Sequence, residues 1–424
     1  MSSPQFVPAI GEQFNSVWRR QLEYKGFDLK FFTPKSHYEH DIALQSCYYG
    51  IEGVGKHAKA NGMTFREMIG FPKDKTFVSD SAGFQVASFK KAGKVCNIKP
   101  IDSLRWQEEN ADIGMNLDFP PTLGKVAEWD YFKYALNESV KNFTLFEKER
   151  QNYKMKLYNV LHGETLPLLD KWYSKIKDFN FDGFAVGMKP PFEPMIQAMG
   201  FMYLYEKGEF DKDTFKGIHF FGTSGKHVVP TIAYAASKLK KNVPVTYDSS
   251  SYNIGSIYRT YYMPFDIGPH LSFGDKFDGK REWWNKDSPT ETYQSFEGEE
   301  VEKEQGKVGK NPNITELPCD CPVCRSIDDI KLLNSKDIYA GTLISLHNLY
   351  QYAHYNKTVV SLVKDKDLFL EYLKNINISK KTLMSIKFID FALEHGLKQA
   401  VKRYEQWLIP QTLDTTKQKS IFGF

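Results

Sequence analysis

Nowhere in the chain do about 18 uncharged apolar residues run together, the length a membrane-spanning helix needs. The opening stretch MSSPQFVPAIGEQFNSVWRR also lacks a basic segment leading into an apolar one. Neither a membrane span nor a secretory leader is therefore expected, and the reading is a soluble cytoplasmic protein. Cysteine is scarce, five in 424 residues, which excludes a disulfide-stapled scaffold. Neither sign of charge dominates. With 56 Lys and Arg against 52 Asp and Glu, the formal charge of +4 does not separate a nucleic-acid binder from an ordinary soluble enzyme. No repeat beyond a βα alternation and no low-complexity tail stand out.

What is present is concentrated. Three of the five cysteines form Cys319-x-Cys321-x-x-Cys324, and His347 follows downstream. Thiolates and an imidazole at this spacing suit one tetrahedral zinc ion. Four protein ligands leave no open position, so the expected zinc is structural and the chemistry should lie elsewhere. No organic cofactor is expected. Cys47 and Cys96 stand alone and read as inert thiols. With 41% apolar and 15% aromatic residues, a large core is available.

From about residue 75, short β-branched or aromatic runs alternate with helical patterns, as in βαβ units around a parallel sheet. Six candidate strands are Lys75–Ser79, Ile113–Leu117, Lys156–Leu161, Gly183–Val186, Ile218–Phe221 and Pro244–Tyr247, with Asp28–Phe32 as a candidate earlier one. Between them, Trp129–Glu149 places Phe132, Leu136, Val140, Phe143 and Phe146 on one helical face. Units of roughly 25 to 45 residues fit a (β/α)8 TIM-type barrel. The expected organisation is a barrel body over 1–300, a zinc-binding subdomain over 301–355 and a C-terminal helical region over 356–424. The charged, Gly- and Asn-rich run Asp275–Pro318 reads as a solvated excursion leading into the zinc module.

Polar residues follow the strands: Asp80, Asp118, His162, Gly187, Gly222 and Asp248. A βα barrel gathers its active site at the C-terminal edge of the strands, so three carboxylates and a histidine could converge there. Singly, each Asp could instead cap a helix or shape a turn. Paired carboxylates can divide the work of a displacement at a sugar carbon, one attacking and one moving a proton. Spacing does not say which does which. Ser81-Ala82-Gly83-Phe84-Gln85 could let backbone approach a planar ligand, with Phe84 stacking on it or packing in the core.

Ser79-Asp80-Ser81-Ala82-Gly83-Phe84-Gln85 resembles the DSGGFQ signature of tRNA-guanine transglycosylases, and Cys319, Cys321, Cys324 and His347-Asn348-Leu349 match that family's zinc set in order. The resemblance covers roughly residues 75 to 355, through strand ends rather than continuous identity. It implies that Asp248 is the nucleophile that attacks C1′ of the target nucleotide and that Asp80 is the general acid/base. Asp118 would read the amidine edge of guanine, and Phe84, beside Gln85, would stack on the base. His162-Gly163 stands where the family usually has Gln-Gly, Gly187-Met188 where it has a Gly-Gly pair, and Gly222 to Lys226 resembles a G-x-G-K segment lining the pocket. The implied reaction passes through a covalent aspartyl–sugar intermediate.

The departures matter as much. Ser249-Ser250-Ser251-Tyr252-Asn253-Ile254-Gly255 offers no cation before Arg259, where tRNA-acting members carry a basic P-T-R-x-G-R stretch. This is similar to the branch, found in phages and bacteria, that exchanges guanine in DNA for a 7-deazaguanine such as 7-cyano-7-deazaguanine. The expected partners are thus DNA and a free 7-deazaguanine base, in the host cytoplasm if the gene is a phage's, with a homodimer as in other members. A divergent enzyme acting on tRNA, a non-catalytic partner subunit and an unrelated zinc-stabilised glycosidase remain alternatives. Lys226, Lys238, Lys240, Lys241 and Arg259 are candidates for a cationic groove wall.

Overall fold

The structure is a computed structural model that describes residues 3–11, 22–52, 54–91, 96–121, 129–188, 190–191, 193–223, 225–257, 259–264, 266–272, 300–301, 309–310, 316–334 and 338–408. Eight parallel strands form its centre: β1 (Pro4–Pro8), β2 (Ile42–Ser46), β3 (Thr76–Asp80), β4 (Ile113–Met115), β5 (Lys156–Leu161), β6 (Gly183–Val186), β7 (Ile218–Phe220) and β8 (Val245–Ser249). Their order is β1-β8-β7-β6-β5-β4-β3-β2. A parallel bridge between Ala9 and Leu44, with Ile10 N–H donating to Leu44 O at 2.8 Å, nearly closes the ring. An eight-stranded parallel barrel wrapped by helices is the TIM-type architecture.

All six strand candidates from residue 75 onward coincide with β3 to β8. The first two strands differ from expectation. Asp28–Phe32 is not a barrel strand; Phe27–Asp28 pairs with Glu23–Tyr24 in a small hairpin, and Asp28 forms a single bridge to Ser36. β1 and β2 instead supply the missing staves. Proline at both ends of β1 and a glutamine inside β2 hide them from a pattern search, although both are almost entirely buried.

Side chains sort by strand parity. Phe77, Tyr247 and Phe220 face helices outside, while Val78, His219 and Thr246 lie on inward positions. The helix Leu166–Ile176 buries Leu169, Trp172, Tyr173 and Ile176, the i, i+3, i+4, i+7 face, and starts with proline in its first turn. Its Trp172 indole donates to Val160 O of β5 at 2.8 Å, fixing the helix on the barrel. The C-terminal chain is helical, with Lys366–Asn375 and Lys380–His395 packed on the body. The long helix Ile338–Leu362 carries His347 and lies along β1 and β8: Tyr247 O–H donates to Asn356 Oδ1 at 2.9 Å, and Asn356 Nδ2 donates to Pro4 O at 3.2 Å. Most of the Asp275–Pro318 excursion lies outside the described residues. No described helix is long and apolar enough to cross a membrane.

Candidate functional site

Asp80, Asp118, His162, Gly187, Gly222 and Asp248 all reach one mouth of the barrel. Asp80 ends β3; its Oδ1 accepts from Ala82 N–H at 2.5 Å and from the Ser46 hydroxyl of β2 at 3.3 Å. Ala82 has φ +68°, a left-handed conformation that costs a non-glycine residue about 1 kcal/mol or more. That strained backbone aims the amide at Asp80. Burial pushes the Asp80 carboxyl up to about 7; the Ala82 N–H opposes the rise, the charges of Asp248 and Asp118 add to it, and the Ser46 hydroxyl opposes it. The three carboxyls are thus close enough to share one field.

Asp118 is buried between two partners: Oδ1 accepts from the Ser81 hydroxyl at 3.3 Å, and Oδ2 lies 2.7 Å from His162 Nε2. On its other side, His162 Nδ1 donates to Gly187 O at 2.8 Å. A carbonyl only accepts, so Nδ1 is the donor in that bond. The His162 ring stands edge-on to Trp172, centroids 4.7 Å apart, which ties it to the helix behind β5. Any side chain at Gly187 would collide with this ring, its Cβ falling 2.4 Å from His162 Cε1.

Asp248, on β8, receives Gly222 N–H at 2.7 Å and His219 Nε2 at 3.2 Å, both on Oδ1. Gly222 has φ +57°, which glycine adopts without strain and which turns its amide inward. His219 was not singled out in the sequence. It is the lone polar residue in Ile218–Phe221, and its cross-strand partner Thr246 shares a face with Asp248 by the two-residue period of a strand. That alternation is the signal that would have found it.

Other expectations fare unevenly. Phe84 stands 46% exposed at the start of the helix Gly83–Lys91, beside Gln85, whose Oε1 is buried without a partner among the described residues. Met188 turns away from the mouth: a Cβ at Gly200 of the outer helix would fall 2.5 Å from its sulfur, so only its backbone can line the site. Gly163, with φ +142°, packs against Leu168 and Leu169. The lysine patch does not assemble. Lys238, Lys240 and Lys241 follow the helix Val229–Ser237 and precede β8, at the barrel end opposite the carboxyls. Lys226 donates to Ile376 O at 2.9 Å, Lys241 pairs with Asp213 at 3.1 Å, and Arg259 is buried.

The second cluster lies on the barrel flank. The ligand atoms of Cys319, Cys321, Cys324 and His347 lie within 4.8 Å of one another, a set that could hold a metal ion. His347 Nδ1 is 3.3 Å from Cys324 Sγ and 3.5 Å from Cys321 Sγ, and those sulfurs are 3.4 Å apart. A tetrahedron of metal–sulfur bonds of about 2.3 Å has edges near 3.8 Å, so the group needs little adjustment. Its outer partners are in place: His347 Nε2 donates to Tyr262 O at 2.8 Å, the Tyr261 hydroxyl meets Cys324 Sγ at 3.2 Å, and Gln351 donates to Cys319 Sγ at 3.2 Å. The Tyr261 ring stacks on His347 with centroids 3.7 Å apart. Cys47 is buried, its Sγ 3.2 Å from the Ser103 hydroxyl, and burial pushes the thiol well above its ordinary range, which fits an inert role.

Comparison with known proteins finds no protein family whose sequence pattern matches the chain and no curated relative.

Proposed function

We propose that the chain is a base-exchange transglycosylase that replaces guanine in DNA by a 7-deazaguanine through a covalent aspartyl–sugar intermediate. One observation carries the reading: at a single mouth, Asp80 titrates near neutrality while Asp248 accepts two hydrogen bonds on one oxygen, from Gly222 N–H and His219 Nε2. Two acids set to different tasks are what such a displacement needs. In this reading Asp248 attacks C1′, the C1′–N9 electrons leave with guanine, and Asp80 supplies its proton. The incoming base then gives a proton to Asp80 and attacks C1′ in turn, so the linkage is restored with retained configuration.

Asp118 and His162, with the Gly187 carbonyl, would frame the base edge, and exposed Phe84 its face. The target nucleotide must leave any stack to reach them. DNA is favoured over tRNA because Ser249–Gly255 offers no cation and its helix Ser251–Ile257 is engaged with Ile338–Leu362: Ser345 O–H donates to Ser256 Oγ at 2.7 Å. In the Cys3His cluster the donor set fits zinc, which would bind there and tie the helix Ile338–Leu362 to its neighbours within a small zinc-binding subdomain. Labelled guanine or 7-cyano-7-deazaguanine, supplied with plasmid DNA and separately with unmodified tRNA, tests the proposal. Label should enter DNA with the wild type and not with Asp248→Ala; label in tRNA alone, or in neither polymer, contradicts it.

A further inference from the structure

Among the described residues, every hydrogen bond to the Asp248 carboxyl falls on Oδ1. One donor is the Gly222 amide. The other is His219, fully buried inside the barrel, where its Nδ1 lies 2.9 Å from Thr246 Oγ1. A carboxylate oxygen only accepts, so Nε2 donates this bond, and Nδ1 is seated on Thr246 Oγ1, itself 3.3 Å from Ile218 O, which holds the ring in that orientation. The edge of the Phe221 ring, 5.1 Å from His219 between centroids, blocks rotation from another side. His219 of β7 and Gly222 of the turn after it therefore converge on one oxygen of Asp248 on β8.

We propose that His219 is the positioning residue of Asp248: with Gly222 it locks Oδ1, so Oδ2 is the oxygen that attacks the sugar. The inference rests on the base-exchange reading above. In the forward step an Oδ2 lone pair forms the O–C1′ bond while the C1′–N9 pair departs with the base. In the return step the O–C1′ pair comes back to Oδ2, and the regained negative charge is shared with Oδ1, where both donors already point. His219 keeps its proton throughout. A carboxylate that must serve as nucleophile and then as leaving group gains from donors fixed in advance, since they cost no reorganisation when the charge returns.

The test compares incorporation kinetics of labelled 7-cyano-7-deazaguanine into plasmid DNA for wild type, His219→Phe, His219→Gln and Thr246→Val. Removing a preorganised donor should lower kcat about a hundredfold in His219→Phe, with KM for the base little changed. His219→Gln, which can present an amide donor near the Nε2 position, should recover about tenfold of that loss. Thr246→Val should lose activity in the same direction by a smaller factor. His219→Phe within about threefold of wild-type kcat, or His219→Phe and His219→Gln falling alike, overturns the proposal. Should His219→Phe not fold, unchanged kcat in both His219→Gln and Thr246→Val overturns it. A wild type that transfers no label fails the base-exchange reading instead; the ring 15N resonances then decide the geometry, because an unprotonated Nε2 in His219 would contradict the lock itself.

Discussion

The metal cluster and the carboxyl mouth are built on opposite plans. Around the Cys3His set the ligands and their outer partners fit one another: imidazole to backbone carbonyl, tyrosine and glutamine to sulfur, ring on ring. At the mouth, local conflict is kept. A non-glycine residue sits at φ +68°, a carboxyl is driven up to about 7, and a histidine is wedged between a carboxylate and a carbonyl. Satisfied interactions serve stability, whereas residues held in costly states usually serve function. Under the proposed function, the contrast corresponds to fold maintenance in one region and chemistry in the other.

Exchanging damage between the regions tests this assignment. Cys321→Ala should remove most bound zinc and lower stability by several kcal/mol, the largest effect on folding expected here. The metal content by mass spectrometry and the denaturant midpoint should fall together. Normal zinc and normal stability in that variant would break the comparison.

Asp80 gives the next effect, and its sign is fixed by its raised titration. A carboxyl near 7 when folded and near 3.8 when unfolded keeps its proton in the folded state across that window. The associated stability is fully present below about 3.8 and is lost as pH rises to about 7, on the order of a few kcal/mol. Asp80→Asn should flatten the fall in stability over that range and leave the protein more stable than wild type at pH 8, while abolishing exchange. Urea melts at stepped pH read the slope; equal slopes in the two proteins would deny the raised titration.

Smallest is the backbone. Ala82→Gly should relieve the left-handed strain and raise stability by roughly 0.5–1 kcal/mol, less what glycine adds to the unfolded chain's entropy. A shift of the denaturant midpoint downward would show that the strain is absent.

How far the sequence carried differs between the regions in the same way. The cluster was legible because three ligands fall between positions 319 and 324 and thiolates at that spacing have few other uses. The carboxyls were legible as strand ends, since β3 to β8 follow each other in a regular alternation. β1 and β2 escaped because proline and glutamine blur a pattern that burial in the ring later overrides. His219 escaped for a related reason: a polar residue inside an apolar run declares its direction only once the neighbouring strand sets the register with Thr246. The same alternation carries the Met188 side chain to the outer helix and leaves its backbone for the mouth, which the residue type alone does not reveal. The expected lysine wall failed because proximity in sequence ignored that the chain between β7 and β8 returns to the far end of the barrel.

The most direct measurement is to trap the bond itself. Wild type incubated with guanine-containing DNA, without free base, then denatured and digested, should yield one peptide carrying a nucleotide ester on Asp248, and Asp248→Ala should yield none. An ester on Asp80, or wild-type exchange with no protein-bound nucleotide at all, would contradict the division of labour at the mouth.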